Sequence, residues 1–170
     1  MRAPNGAAYE IVTVEGKGGG MIASRDINKD EIVLRESPIL VMPPGDEGMA
    51  APLLLALPEN ALEAILLLHN ALPHETPFTG RRDIPHHRLI DTLTGIVNSN
   101  SLDATHSFGK MGILLLTGSL FNHDNKNNVD RRFDAQRGTD GFIALRDIKK
   151  GKELTISYTK DPVMLAKYGI

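Results

Sequence analysis

The chain has 170 residues, with 19 Lys plus Arg, 21 Asp plus Glu and no cysteine. This length indicates one domain, or one domain with a small lobe, and the near-neutral charge excludes a strongly basic nucleic-acid binder. Without cysteine, these residues cannot form disulfides, thiolate zinc sites or a cysteine nucleophile.

Short strands are predicted in residues 7–42, which are rich in β-branched residues and broken by polar and glycine-rich turns. The predicted strands are Tyr9–Val14, Met21–Ala23, Glu31–Arg35 and Ile39–Met42. We expect Gly16, Gly18, Gly19 and Gly20 to form the turn between the first two strands. Residues 28–30 are polar and predict a second turn.

Residues 43–100 show helical periodicity instead. After a loop at 43–45, one helix is predicted over Glu59–Asn70 and another over Pro85–Val97, with a loop at 72–84 between them. The second helix places five apolar residues on one face, namely Leu89, Ile90, Leu93, Ile96 and Val97. We interpret this zone as a helical insertion within a single domain.

Residues 101–170 return to a β pattern. A strand is predicted over Val129–Ala135, a hairpin turn over Arg137–Gly141 and a return strand over Phe142–Leu145. Glu153–Tyr158 is a further short β run. The whole chain is therefore predicted to be mainly β with an α insertion, an α+β fold of three parts: 7–42, 43–100 and 101–170.

One pattern occurs twice in the chain. Residues 23–29 (ASRDINK) resemble residues 144–150 (ALRDIKK), and each copy precedes a predicted strand. Two copies are too few for a solenoid. They are either two similar strand–turn units or the two halves of a duplicated β unit that flanks the insertion.

Three segments carry residue types suited to a site. Lys17–Met21 is glycine-rich but lacks the features of a P-loop or a dinucleotide fingerprint, so it is either a hairpin turn or backbone that a ligand can approach closely. Phe121–Val129 holds four asparagines, which suit either an ordinary turn or a polar ligand. Gly151–Tyr158 ends in a tyrosine, which is either a packing residue at the end of a strand or a residue of the functional site. No metal site is predicted, because His123 and Asp124 are adjacent and lack spaced partners.

Taken in order, these segments resemble the SET domain of protein lysine methyltransferases. The order is a glycine-rich turn, an Arg-Asp-Ile unit, a helical insertion, Phe121-Asn122-His123, and a second Arg-Asp-Ile unit leading to Leu154-Thr155-Ile156-Ser157-Tyr158. The resemblance runs from about Tyr9 to the end of the chain, and residues 68–71 and 95–100 look most like the fungal branch. It implies a β-clip-like fold of small curved sheets with a C-terminal pseudoknot, and it favours the duplicated β unit.

The resemblance also implies roles for individual residues. It implies that Tyr158 closes the methyl-transfer site, and that the residues contacting S-adenosylmethionine are Lys17, Gly18, Gly19, Gly20, Met21, Asn122 and His123. The implied reaction is direct transfer of a methyl group from a sulfonium to a neutral lysine amine. Because a phenol is ordinarily a poor general base at neutral pH, we assign Tyr158 orientation and electrostatics rather than proton abstraction.

The sequence departs from the family pattern at several points. Asp124 stands where the family usually has Ser, Asn127 where Pro is usual, and Asp30 at a turn position that commonly carries Gly. The chain also ends at Ile170, where a Cys-rich, zinc-binding module often follows and completes the lysine channel. These departures support a second hypothesis, a catalytically inactive SET-fold module that acts in protein interaction.

The expected partner is a protein or peptide that contains lysine. A histone is a candidate, because the mild negative charge suits a basic peptide. We expect neither direct nucleic-acid binding nor a membrane span, and the sequence leaves a homodimer open. Residues 1–6 lack the apolar segment of a signal peptide, so the nucleus or cytoplasm is expected rather than secretion.

Overall fold

The computed structural model describes residues 2–43, 47–70, 84–106 and 109–167. The chain forms two compact units, one of Met1–Ser37 with Thr117–Ile170 and one of Pro38–Leu116. The predicted helical insertion at 43–100 lies inside the second unit, together with strands on both sides of it. The single-domain organisation and the C-terminal pseudoknot stay predictions.

The described elements follow in chain order. The strands are β1 (Tyr9–Val14), β2 (Gly18–Ala23), β3 (Ile32–Glu36), β4 (Leu40–Met42), β5 (Leu102–His106), β6 (Gly109–Leu114), β7 (Asn122–His123), β8 (Val129–Asp134), β9 (Thr139–Ala144) and β10 (Thr155–Ile156). The α-helices are α1 (Ala50–Leu55), α2 (Glu59–Ile65), α3 (His86–Asn100) and α4 (Pro162–Lys167). Among the described residues, no helix combines the length and apolar character that crossing a bilayer requires.

The first unit consists of small sheets around a compact core. β1 and β2 form an antiparallel hairpin, β9 lies between β3 and β8 in an antiparallel sheet, and β7 pairs with β10 in parallel. The rings of Phe121 and Phe142 stack with centroids 4.4 Å apart, and both are fully buried. Burial of two such rings favours folding because each removes a large apolar surface from water. The mainly β prediction with small sheets is confirmed.

Strand boundaries at both hairpins were predicted wrongly. In the second hairpin, the turn lies at residues 135–138 and Thr139–Gly141 belong to β9, whereas the sequence placed them in the turn. Gly18–Gly20 belong to β2, where they pair with Val14, Thr13 and Val12 of β1, rather than to a turn. The turn is confined to residues 15–17. Gly16 and Gly18 have φ of +74° and +78°, a region that L side chains rarely adopt. Their conformational freedom permits a turn of only three residues. Gly18–Gly20 therefore contribute backbone without side chains to β2.

The second unit packs helices against the antiparallel sheet β4-β6-β5. Helix α1 packs against α3 and β4. The centre of the unit is apolar, and its fully buried side chains include Leu54, Leu62, Ile65, Leu93 and Ile113. Since α1 and α2 are only six and seven residues long, this burial rather than helix propensity holds them in place.

The helix predictions are right in position and wrong in detail. Helix α2 ends at Ile65 instead of Asn70, whereas α3 continues to Asn100. Ile90, predicted on the apolar face of α3, is 49% exposed, while the other four residues of that face are buried. Helices α1 and α4 and strands β5, β6 and β7 were not predicted. The predicted loop at 72–84 lies outside the described residues except for Ile84, as do residues 44 and 45 of the predicted loop at 43–45.

The two Arg-Asp-Ile copies pair with each other. Ile27 and Ile148 exchange both backbone hydrogen bonds, at 2.9 and 2.8 Å. The Asp26 carboxylate accepts from the N–H of Lys150 at 2.9 Å, and the Asp147 carboxylate accepts from the matching lysine N–H of the first copy at 2.9 Å. The side chains and the backbone thus repeat the same contacts in both directions, as expected for two halves of a duplicated β unit.

The paired turns predict a difference in backbone strain. Asp30 and Gly151 follow the two copies at matching positions, with φ of +65° and +81°. A Cβ on Gly151 would meet nothing within 4 Å, so only the backbone conformation opposes a side chain there. We expect Gly151→Ala to lower the free energy of unfolding by about 1 kcal/mol and Asp30→Gly not to lower it. Urea denaturation measures both. A Gly151→Ala variant as stable as the wild type would show that the backbone conformation at residue 151 does not oppose a side chain.

The same contacts predict acid sensitivity. The Lys149 ammonium, 2.7 Å away, and the Lys150 N–H lower the pKa of Asp26, and Arg25 and the Asn28 N–H lower the pKa of Glu31. Their pKa values are lower in the folded chain, so the unfolded chain binds more protons in acid. The stabilisation is therefore present above about pH 4 and lost below it. We expect the urea midpoint to fall on acidification, and to fall less in Asp26→Asn; equal losses would contradict this.

Candidate functional site

A short parallel ladder joins two of the predicted site segments. Asn122 pairs with Thr155 and His123 pairs with Ile156. The ladder continues one residue further, since the N–H of Asp124 donates to the carbonyl oxygen of Ile156 at 3.0 Å. Segments that lie more than thirty residues apart are therefore adjacent at the end of β10, where Tyr158 follows.

Tyr158 is fixed by two hydrogen bonds. Its hydroxyl donates to the carbonyl oxygen of Phe121 at 2.7 Å, and its backbone N–H donates to Nδ1 of His123 at 3.1 Å. The rings of Tyr158 and His123 lie 5.4 Å apart at 52°. Because a hydroxyl has one proton and that proton is given to Phe121, the Tyr158 oxygen can act toward any further group only as an acceptor.

The contacts of His123 also define its tautomer. Nδ1 accepts a hydrogen bond from Tyr158, so the proton of the neutral ring is on Nε2, which faces Oδ1 of Asn125 at 3.3 Å. The ring is half-buried. His123 therefore supports the position of Tyr158 from one side and contacts the asparagine-rich loop from the other.

Asn122 connects this ladder to the glycine-rich strand. Its Nδ2 donates to the carbonyl oxygen of Gly19 at 3.2 Å and to Oε1 of Glu153 at 2.9 Å. One amide thus contacts β2 and the segment before β10 together. We call Gly18–Gly20, Asn122 and Glu153 the glycine cradle.

The glycines of the cradle have different surroundings. Gly18 and Gly19 are exposed, and Gly20 is buried. A Cβ on Gly20 would lie 2.5 Å from Cγ2 of Val14 and 2.7 Å from Nδ2 of Asn122, closer than real Cβ atoms come. Gly20 is therefore needed for close packing, whereas Gly18 and Gly19 present accessible backbone that a ligand can approach.

Lys17 and Met21 flank the cradle in different ways. The Lys17 ammonium lies 3.0 and 3.2 Å from the two carboxylate oxygens of Glu153, with both side chains partly exposed. Met21 is fully buried, and its carbonyl oxygen accepts from the N–H of Leu154 at 2.8 Å. Met21 therefore anchors the strand in the core, and its side chain is not at the surface of the cradle.

Two residues of this site were missed at the level of sequence. Glu153 contacts Lys17 and Asn122, and no local pattern in the sequence links residues so far apart. Asn128 is buried; its Oδ1 accepts from the N–H of Thr155 at 2.9 Å and its Nδ2 donates to the carbonyl oxygen of Glu153 at 2.8 Å. Asn128 thus aligns the segment that carries Glu153.

The departure from the family pattern at Asp124 has a local explanation. The Asp124 carboxylate accepts from the N–H of Lys126 at 2.7 Å, which is an Asx turn. The guanidinium of Arg146 donates to the carbonyl oxygens of Lys126 and Asn127, both at 2.8 Å. The loop is therefore held by its own side chains, and the carboxylate of Asp124 is exposed and engaged in the turn.

A cavity of about 440 Å³ lies beside the cradle. Its lining is polar and contains both acidic and basic side chains, among them Asp124, Lys126, Arg146 and Glu153. It shares Glu153 with the cradle, but the described residues that line it do not include Gly18–Gly20 or Tyr158. The site predicted from the sequence is therefore the surface around the cradle and Tyr158 rather than this cavity.

The chain is similar to a curated protein and to a solved structure. Over 52 residues, the chain is 44% identical to a Schizosaccharomyces pombe protein named histone-lysine N-methyltransferase, H3 lysine-37 specific; the match covers 31% of this chain and 35% of that protein. The chain thus matches about a third of the length of that relative. A crystal structure of a Plasmodium falciparum protein assigned as a histone methyltransferase shares 14% identity at a TM-score of 0.49, over 92% of this chain and 96% of the other.

The family model of the SET domain matches residues 18–159. That range includes the cradle, the β7–β10 ladder and Tyr158, and it spans most of the 170 residues. The chain belongs to the SET domain family.

Proposed function

We propose that this chain is an S-adenosylmethionine-dependent protein lysine N-methyltransferase that acts on a histone or another protein. Membership of the SET domain family and the name of the S. pombe relative support the reaction class. The observation that carries the proposal is the parallel pairing of Asn122 and His123 with β10 beside Tyr158, because it joins the segments that the resemblance links to one site. A nuclear or cytoplasmic location is part of the proposal, since a histone substrate is found there.

The cofactor would be held by the cradle. Gly18 and Gly19 offer exposed backbone without side chains, and Asn122 offers an amide that is already oriented by two acceptors. These features suit a polar, zwitterionic ligand that must approach the backbone closely. Bound S-adenosylmethionine would supply a methyl group activated by a sulfonium.

The protein's task is then to present a neutral lysine amine. Because the ordinary pKa of a lysine is about 10.4, deprotonating it at pH 7 requires on the order of 4–5 kcal/mol. An apolar channel and a nearby positive charge both disfavour the ammonium and reduce that requirement. Tyr158 donates its proton to Phe121, so its oxygen is an acceptor that can align the amine for in-line attack.

Two assays in sequence test the proposal. Calorimetry with S-adenosylmethionine measures cofactor binding, and transfer of a radiolabelled methyl group to histones measures the reaction. We expect both to be positive. Absence of cofactor binding would refute the enzyme, whereas binding without transfer to histones or other lysine-containing proteins would favour the alternative, an inactive SET-fold module in protein interaction.

A further inference from the structure

We propose that Glu153 is a positioning residue that sets the orientation of the Asn122 amide in the glycine cradle. Its consequence for cofactor affinity rests on the function proposed above, whereas the orientation itself is a property of the chain alone. The residue acts through Asn122 and is not placed in contact with the reacting atoms.

The first argument is the chemistry of the two partners. An ionised carboxylate only accepts hydrogen bonds, whereas an amide has a donor end and an acceptor end. Nδ2 of Asn122 faces two acceptors, Oε1 of Glu153 at 2.9 Å and the Gly19 carbonyl oxygen at 3.2 Å. A flipped amide would bring Oδ1 against both, so Glu153 and Gly19 together keep Oδ1 directed away from them.

The second argument is the rigidity of Glu153. Its backbone forms a bridge with Ile22, and its carbonyl oxygen accepts from the buried Asn128. The Lys17 ammonium lies 3.0 and 3.2 Å from its two carboxylate oxygens. Both the backbone and the carboxylate oxygens of Glu153 therefore have fixed partners. Such a side chain can hold the Asn122 amide in one orientation at little additional entropic cost.

Affinity measurements form the first part of the test. We expect Glu153→Ala to raise the Kd of S-adenosylmethionine about tenfold, as for loss of a charged hydrogen bond. Glu153→Gln keeps an acceptor for Asn122 and is expected to stay within about threefold of wild type. Glu15→Ala removes an exposed carboxylate near the same hairpin turn and serves as the matched control. In an Asn122→Ala background, Glu153→Ala should have little further effect, because its action passes through Asn122.

A second readout needs no cofactor. The side-chain amide resonances of Asn122 in ¹⁵N NMR spectra should move in Glu153→Ala and stay near the wild type in Glu15→Ala. If the wild type fails to bind the cofactor while these shifts occur, the proposed function is wrong and the positioning role stands. Unmoved amide resonances in Glu153→Ala, or additive effects of the two substitutions on affinity, would overturn the positioning role.

Discussion

Replacing Tyr158 with phenylalanine is expected to reduce lysine methylation on the order of 100-fold or more while the protein stays folded. The substitution removes the only acceptor oxygen of this side chain and keeps its ring, which contacts His123. The lost hydrogen bond to Phe121 involves a half-buried hydroxyl, so its removal should lower the free energy of unfolding by only about 1 kcal/mol. Transfer of a radiolabelled methyl group measures the rate, and thermal unfolding measures the stability.

A matched control for this variant is Tyr9→Phe. Tyr9 lies in the same unit and is buried. It pairs with Ala23, at the opposite end of β2 from Gly18, so this substitution removes an equivalent hydroxyl away from the cradle. We expect Tyr9→Phe to methylate at the wild-type rate. Full activity in Tyr158→Phe would remove Tyr158 from the site.

Replacing Gly20 with alanine should damage both stability and cofactor binding. The new Cβ would lie 2.5 Å from Cγ2 of Val14 and 2.7 Å from Nδ2 of Asn122. Val14 has few alternative rotamers, so we expect the hairpin to shift and the free energy of unfolding to fall by about 1–3 kcal/mol. The displaced Asn122 amide should abolish measurable binding of S-adenosylmethionine. Urea denaturation and calorimetry give the two readouts.

Gly48→Ala is the corresponding control. A Cβ at Gly48 would meet nothing within 4 Å, and the residue belongs to the unit that lacks the cradle. Its stability and affinity should match those of the wild type. A Gly20→Ala variant with unchanged stability and affinity would show that the close packing at Gly20 does not support the site.

Local pattern was sufficient for much of the fold. The β-branched run Tyr9–Val14 became β1 with the predicted bounds, because β-branched side chains suit a pleated surface. Glycine composition misled at Gly18–Gly20, since pairing with β1 outweighed the weak strand propensity of glycine. Helix α1 was not predicted because it is only six residues long and contains Pro52. Proline is tolerated in the first turn of a helix, but in a sequence it indicates a loop or a helix end.

The site was predictable where its residues form motifs and unpredictable where it depends on distant pairs. The resemblance singled out Asn122, His123 and Tyr158 as candidates, and one ladder joins their segments. Glu153 lies 136 residues from Lys17, and no local periodicity connects them. The buried amide of Asn128, which aligns Glu153, likewise has its partners more than twenty residues away. Such contacts follow from the fold and not from neighbouring residues.

The most direct test of the central claim is mass spectrometry of histones incubated with the protein and S-adenosylmethionine carrying a deuterated methyl group. The account predicts that the deuterated group appears on the side-chain amine of a lysine, and that Tyr158→Phe, folded and able to bind the cofactor, leaves the histones unlabelled. Undiminished labelling by Tyr158→Phe, or label found only on other side chains, would contradict it.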